Sequence, residues 1–69
     1  MPKCYAIVEG LIETGVGTDK EVATKLFVIG GADSRSHAED LAHEWIEVAK
    51  HQRTGFKTGK IQSIHPYRR

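Results

Sequence analysis

Apolar residues recur along this chain first with a period of two, then with a period near 3.6, then with a period of two again. From Cys4 to Ile12, Cys4, Ala6, Val8 and Ile12 fall on one alternating face, and Tyr5, Ile7 and Leu11 on the other. A β-prone segment that is apolar on both faces predicts a central strand. Thr14 to Lys20 carries two glycines and predicts a turn, so a hairpin follows. Val22 to Ile29 predicts the second strand, again apolar on both sides: Val22, Leu26 and Val28 against Ala23, Phe27 and Ile29. Gly30, Gly31 and Asp33 are expected to end it.

Ser36, followed three residues later by Glu39, matches a capping box and predicts a helix over His37 to about Gln52. At 100° per residue, Ala38, Leu41, Ala42, Trp45, Ile46, Val48 and Ala49 share an arc of about 160°. Asp40, His43, Glu44, Glu47, Lys50 and His51 take the opposite side. Lys50, His51 and Arg53 crowd the C-terminal end, where the helix dipole favours cations. A loop at Thr54 to Gly59 with Gly55 as helix terminator, a third strand at Lys60 to His65, a stop at Pro66 and a short tail complete the pattern.

The order ββαβ constrains the topology. A strand that follows the helix runs parallel to the second strand, so it fits antiparallel beside the first. The predicted fold class is α+β: a three-stranded antiparallel sheet in the order 2-1-3 with one amphipathic helix on one face. Residues 1–69 form a single small domain, with the basic segment and its tail at residues 51–69. One helix covers one face only, and the other face retains large apolar side chains. An exposed patch of that kind predicts a homodimer, by pairing of sheets or of edge strands.

Composition sharpens this picture. A chain of 69 residues has a core that supplies only about 3–5 kcal/mol, and small domains usually add a disulfide, a metal or oligomerisation. The single cysteine, Cys4, allows neither an internal disulfide nor a cysteine zinc cluster. It fits a reducing compartment, and the expected localisation is cytoplasmic. No apolar run approaches the roughly 20 residues of a membrane span, and no signal-peptide pattern opens the chain.

The formal net charge of +1 conceals a division. Residues 1–50 hold all nine acids and five of the ten lysines and arginines, a net −4; residues 51–69 hold the other five and no acid, a net +5. The basic segment interleaves Arg53, Lys57, Lys60, Arg68 and Arg69 with Phe56 and Tyr67. Such cations neutralise phosphate or carboxylate, and such aromatics stack on unpaired bases. These seven residues are the candidate binding site. A protein partner is favoured over nucleic acid because five cations are few and the acids nearby repel a polyanion. A third outcome is pairing of the segment with the chain's own acidic face.

Other constellations are weaker. His43, Glu47 and His51 stand at i, i+4 and i+8 and could ligate a metal, but the zincin pattern at His43-Glu44 has Glu47 where the second histidine belongs. Gly30 and Gly31 lack the rest of a dinucleotide fingerprint. Asp33, Ser34, Ser36, His37 and Cys4 form no spaced catalytic set. The expectation is a non-enzymatic interaction module without metal or cofactor. It self-associates and binds a protein, in an accessory or inhibitory role within a larger complex.

Overall fold

The computed structural model describes residues 3–67. Four elements follow in order: β1 (Cys4–Val16), β2 (Asp19–Ala32), α1 (Arg35–Gln52) and β3 (Phe56–Pro66). The three strands form one antiparallel sheet in the order β2-β1-β3, and α1 packs on one face of it. The α+β class and the central position of β1 are as the two-sided apolar pattern predicts. Among the described residues, no helix is long and apolar enough to cross a membrane.

The hairpin is longer than its apolar residues suggest. Gly15 pairs with Lys20 and Val16 with Asp19, leaving a two-residue turn at Gly17 and Thr18. Gly17 has φ 64° while Thr18 has no positive φ, the pattern of a type II′ turn, which matches the twist of its strands. Thr14, Gly15, Val16, Asp19 and Lys20 are therefore ladder residues rather than turn residues. At the other end, Gly30 and Gly31 do not end β2. Cys4 pairs with Ala32 and Ala6 with Ile29, so the two glycines bulge opposite Tyr5, and Gly31 supplies the φ of 89° the bulge needs.

Ser34, and not Ser36, caps the helix. Its backbone is extended (φ −156°, ψ 170°), and its hydroxyl accepts a 3.1 Å bond from the His37 amide. His37 replies with Nδ1, which accepts from the Asp33 amide at 3.0 Å. That reciprocal pair does the work of a capping box two residues earlier than the Ser36–Glu39 pair would. At the far end the cap is Arg53, whose amide donates to the Ala49 carbonyl, and Gly55 lies two residues beyond it.

The third strand begins at Phe56, so the expected loop over Thr54 to Gly59 shrinks to its first two residues. Gly59 lies opposite Gly10 across the β1–β3 ladder. Neither has a side chain, and the Phe56 ring occupies the space: a Cβ on Gly10 would lie 2.9 Å from Phe56 Cε2, and one on Gly59 would lie 3.0 Å from Phe56 Cζ. The glycines are a seat for a core aromatic, not loop punctuation.

The core lies between α1 and the sheet. Cys4, Ala6, Val8, Ala32, Ala38, Ala42, Ile46, Ala49 and Phe56 are buried there. Phe27, Trp45 and Phe56 meet at the end nearer the helix C-terminus, with ring centroids 4.8–6.4 Å apart. Arg53 lays its guanidinium 5.3 Å and 5.4 Å from the Phe27 and Trp45 centroids. Among the described residues, five of the nine buried hydrophobic ones are alanine. Alanine lets the helix approach closely but removes little apolar surface from water.

Candidate functional site: the open sheet face

A second set of large aliphatic side chains stands on the other face of the sheet, opposite Val8, Ile46 and the isoleucines that pack around the core. Strand alternation and register set them in rows: Val28 beside Ile7 and Ser63, Leu26 beside Glu9 and Lys60, Thr24 beside Leu11 and Thr58, and Val22 beside Glu13. No described element covers this face. Val22, Leu26 and Val28 are 56%, 59% and 68% exposed. These three belong to β2, so the most apolar strip runs along one side of the face.

At the Pro66 end of the face an aromatic group gathers. Tyr5 stacks on His65 at 5.4 Å and leans on Tyr67 at 5.2 Å. The Tyr67 hydroxyl reaches over Gly30, where a side chain would collide with it. Ser63 Oγ and His65 Nε2 are 2.7 Å apart. In the middle of the face, a shallow depression of about 260 Å³ is lined by Gly10 and Gly59 together with Glu9, Leu11, Thr24, Thr58 and Lys60.

The sheet divides the sequence-predicted site. Lys60 Nζ lies 3.5 Å from Glu9, Lys57 Nζ 3.5 Å from Glu13, and Lys20 Nζ 3.8 Å from the same Glu13 oxygen. Two of the five cations, Lys57 and Lys60, thus pair with acids on the adjacent strand. Phe56 drops out as a stacking group: it is 6% exposed and holds the core together. Arg53 sits at the helix end over the aromatic cluster, away from Lys57 and Lys60. Tyr67 is on the open face and half exposed. Arg68 and Arg69 lie outside the described residues.

His43, Glu47 and His51 project from the exposed side of α1, and Glu47 pairs with Lys50 at 3.2 Å. Among the described residues, no group of three histidines, cysteines, aspartates or glutamates is placed to hold a metal. Tyr5, Ser63 and His65 were not singled out in the sequence. Tyr5 reads there as one more apolar strand residue, and only the β1–β3 register brings it to His65.

Comparison with known proteins adds no relative, since no family model, no curated protein and no solved structure matches this chain.

Proposed function

We propose that this chain is a small non-enzymatic interaction module that pairs with a second copy through its open sheet face and also holds a protein partner, as an accessory or inhibitory subunit does. The observation that carries the reading is the row of aliphatic side chains on the uncovered face: Leu11, Val22, Leu26 and Val28 are exposed together there. Contiguous exposed patches of this kind mark interaction surfaces.

Size and charge both support a second copy as the occupant. Three strands spaced about 4.8 Å apart, with roughly nine paired residues at about 3.3 Å each, give a face near 14 Å by 30 Å. Two such faces in contact cover about 800 Å² in plan, and more in accessible surface once side chains interdigitate. Specific interfaces begin at about 1,000 Å² in total. The face also carries little net charge, with Glu9 and Glu13 set among Lys20, Lys57 and Lys60. A surface with little net charge meets its own copy without strong like-charge repulsion. The same pairing weakens the case for nucleic acid, because a phosphate would have to compete with Glu9 and Glu13 for Lys60 and Lys57.

Sedimentation equilibrium between about 1 and 200 μM tests the reading. The expected result is a monomer–dimer equilibrium that persists in 0.5 M salt, because the contact is mainly apolar. A monomer at every concentration would remove the open face as a self-association surface.

A further inference from the structure

We infer that the groove between α1 and the outer edge of β2 is a docking site for an extended segment of a partner protein, added to the sheet as a fourth strand and carrying a basic residue beside Glu44. This deepens the reading of the chain as a protein-binding module and uses a surface separate from the open face.

The two edges of the sheet differ. β3 carries register shifts on either side of Lys57 and of Gln62, and it ends in Pro66. Bulges, charges and proline are the usual means of stopping an edge strand from recruiting another chain. β2 keeps an unbroken register with β1 from Asp19 to Ile29. Its outer hydrogen-bonding groups are therefore regularly spaced, as strand addition requires.

The helix leaves room on the same side. It packs more closely on β3 than on β2. Its flank over β2 carries Leu41, Trp45 and Val48, at the spacing that lines up residues along one side of a helix. With Ile29, Gly30 and Glu44 these line a groove of about 320 Å³. Val48 is 46% exposed although apolar. A strand laid about 4.8 Å outside β2 would run beneath this flank and cover it. Alternate side chains of the incoming strand would face Leu41 and Val48, and the others would extend the open face.

Charge selects the occupant. Glu44 lines the groove and forms no ion pair among the described residues, and Asp40 stands on the same exposed side of the helix. Lys25 and Arg53 lie toward the other end, past Phe27. A second copy fits this groove poorly. Antiparallel pairing of two β2 strands brings the start of one beside the end of the other. Alternation puts Asp19 and Glu21 of that start on the helix side, next to Glu44. A partner strand with lysine or arginine at that position gains where a second copy is repelled.

The test uses two synthetic hexapeptides with blocked ends, in which the positions facing the helix carry two aliphatic residues and, at the Glu44 end, a lysine in one peptide and a glutamate in the other, the outward positions being threonine in both. Binding is read from Trp45 emission, the single tryptophan, and from backbone amide shifts, in the natural chain and in Leu26→Ala. The lysine peptide should saturate, shift the amides of Leu26 to Gly30, and bind at least about ten-fold more tightly than the glutamate peptide, a difference near 1.4 kcal/mol. Glu44→Lys should reverse that preference, and Val48→Asp should weaken both peptides. Glu39→Lys, on the β3 side of the helix, should change neither. Three results would overturn the inference: no saturable binding of either peptide, equal binding that Glu44→Lys leaves unchanged, or shifts confined to Ile7, Leu11 and their open-face neighbours. Peptide binding is read below the dissociation constant that sedimentation gives for each variant, so loss of self-association and loss of peptide binding are separate outcomes.

Discussion

Leu26→Ala separates the two roles an apolar side chain can play, supporting its own fold or joining it to another. Fully burying a leucine is worth about 1.5–3 kcal/mol. Leu26 is 59% exposed within one copy, so roughly 1–2 kcal/mol of that remains to be gained on association. A symmetric dimer contains the residue twice, and losing both contributions costs about 2–4 kcal/mol. The dissociation constant should therefore rise between about 30-fold and several hundred-fold. Stability of the single copy should change by less than about 1 kcal/mol, since little of the side chain is buried there. Sedimentation equilibrium measures the first quantity. Urea unfolding followed by Trp45 emission measures the second, at a concentration below the dimer midpoint so that association does not add to stability. Val48→Ala is the matched control, because Val48 is also exposed but projects from the helix. If Leu26→Ala leaves the dissociation constant within about three-fold, or if Val48→Ala weakens the dimer as much, the open face is not where two copies meet.

Two further substitutions test how the fold is built. Gly10→Ala places a Cβ 2.9 Å from Cε2 of both Phe27 and Phe56, whose rings are pinned by Trp45; overpacking should cost about 1–3 kcal/mol and lower the calorimetric Tm by about 4–8 °C per kcal/mol, with part recovered by adding Phe27→Leu. A Tm equal to that of the unsubstituted chain would mean that the rings are free to move aside. Ser34→Ala should cost about 1 kcal/mol in urea unfolding and Ser36→Ala less than about 0.5 kcal/mol, and the opposite order would return the cap to Ser36.

The topology was legible in the sequence because its signals are local. Period-two alternation on both faces of Cys4 to Ile12 identifies the central strand, and the arc from Ala38 to Ala49 identifies the covering helix. The errors fall where a distant residue decides. Ser34 and Ser36 are equally good capping residues, and the choice depends on how far β2 continues before the chain turns. Thr14, Asp19 and Lys20 resemble turn residues, yet a two-residue turn at Gly17 and Thr18 extends the ladder through them without needing a core. Phe56 beside two glycines resembles a loop aromatic until Gly59 is seen opposite Gly10. The candidate site was legible as a segment but not as a surface. Glu9 and Glu13 share a face of β1, and only the β3 register places Lys60 and Lys57 against them.

Placed in space, the near-neutral total becomes two surfaces of unlike character. On the open face Lys57 and Lys60 are matched to the acids of β1, so that face carries little net charge and can meet a copy of itself. On the helix the acids outnumber the bases: Glu39, Asp40, Glu44 and Glu47 stand against Arg35 and Lys50, and Lys50 is already engaged with Glu47. The flank beside β2 therefore seeks cations while the open face does not. An alanine-rich core makes both surfaces matter for stability as well as recognition. The helix is seated through Ala38, Ala42, Ile46 and Ala49, and Val22, Leu26 and Val28 on the far side of the sheet remain open to water. In a domain of this size the net stability is only a few kcal/mol, so covering Val22, Leu26 and Val28 would contribute on the scale of the whole fold. If the proposed pairing occurs, the dimer should therefore resist urea measurably better than the single copy, while the unbroken register of β2 leaves its outer edge regular.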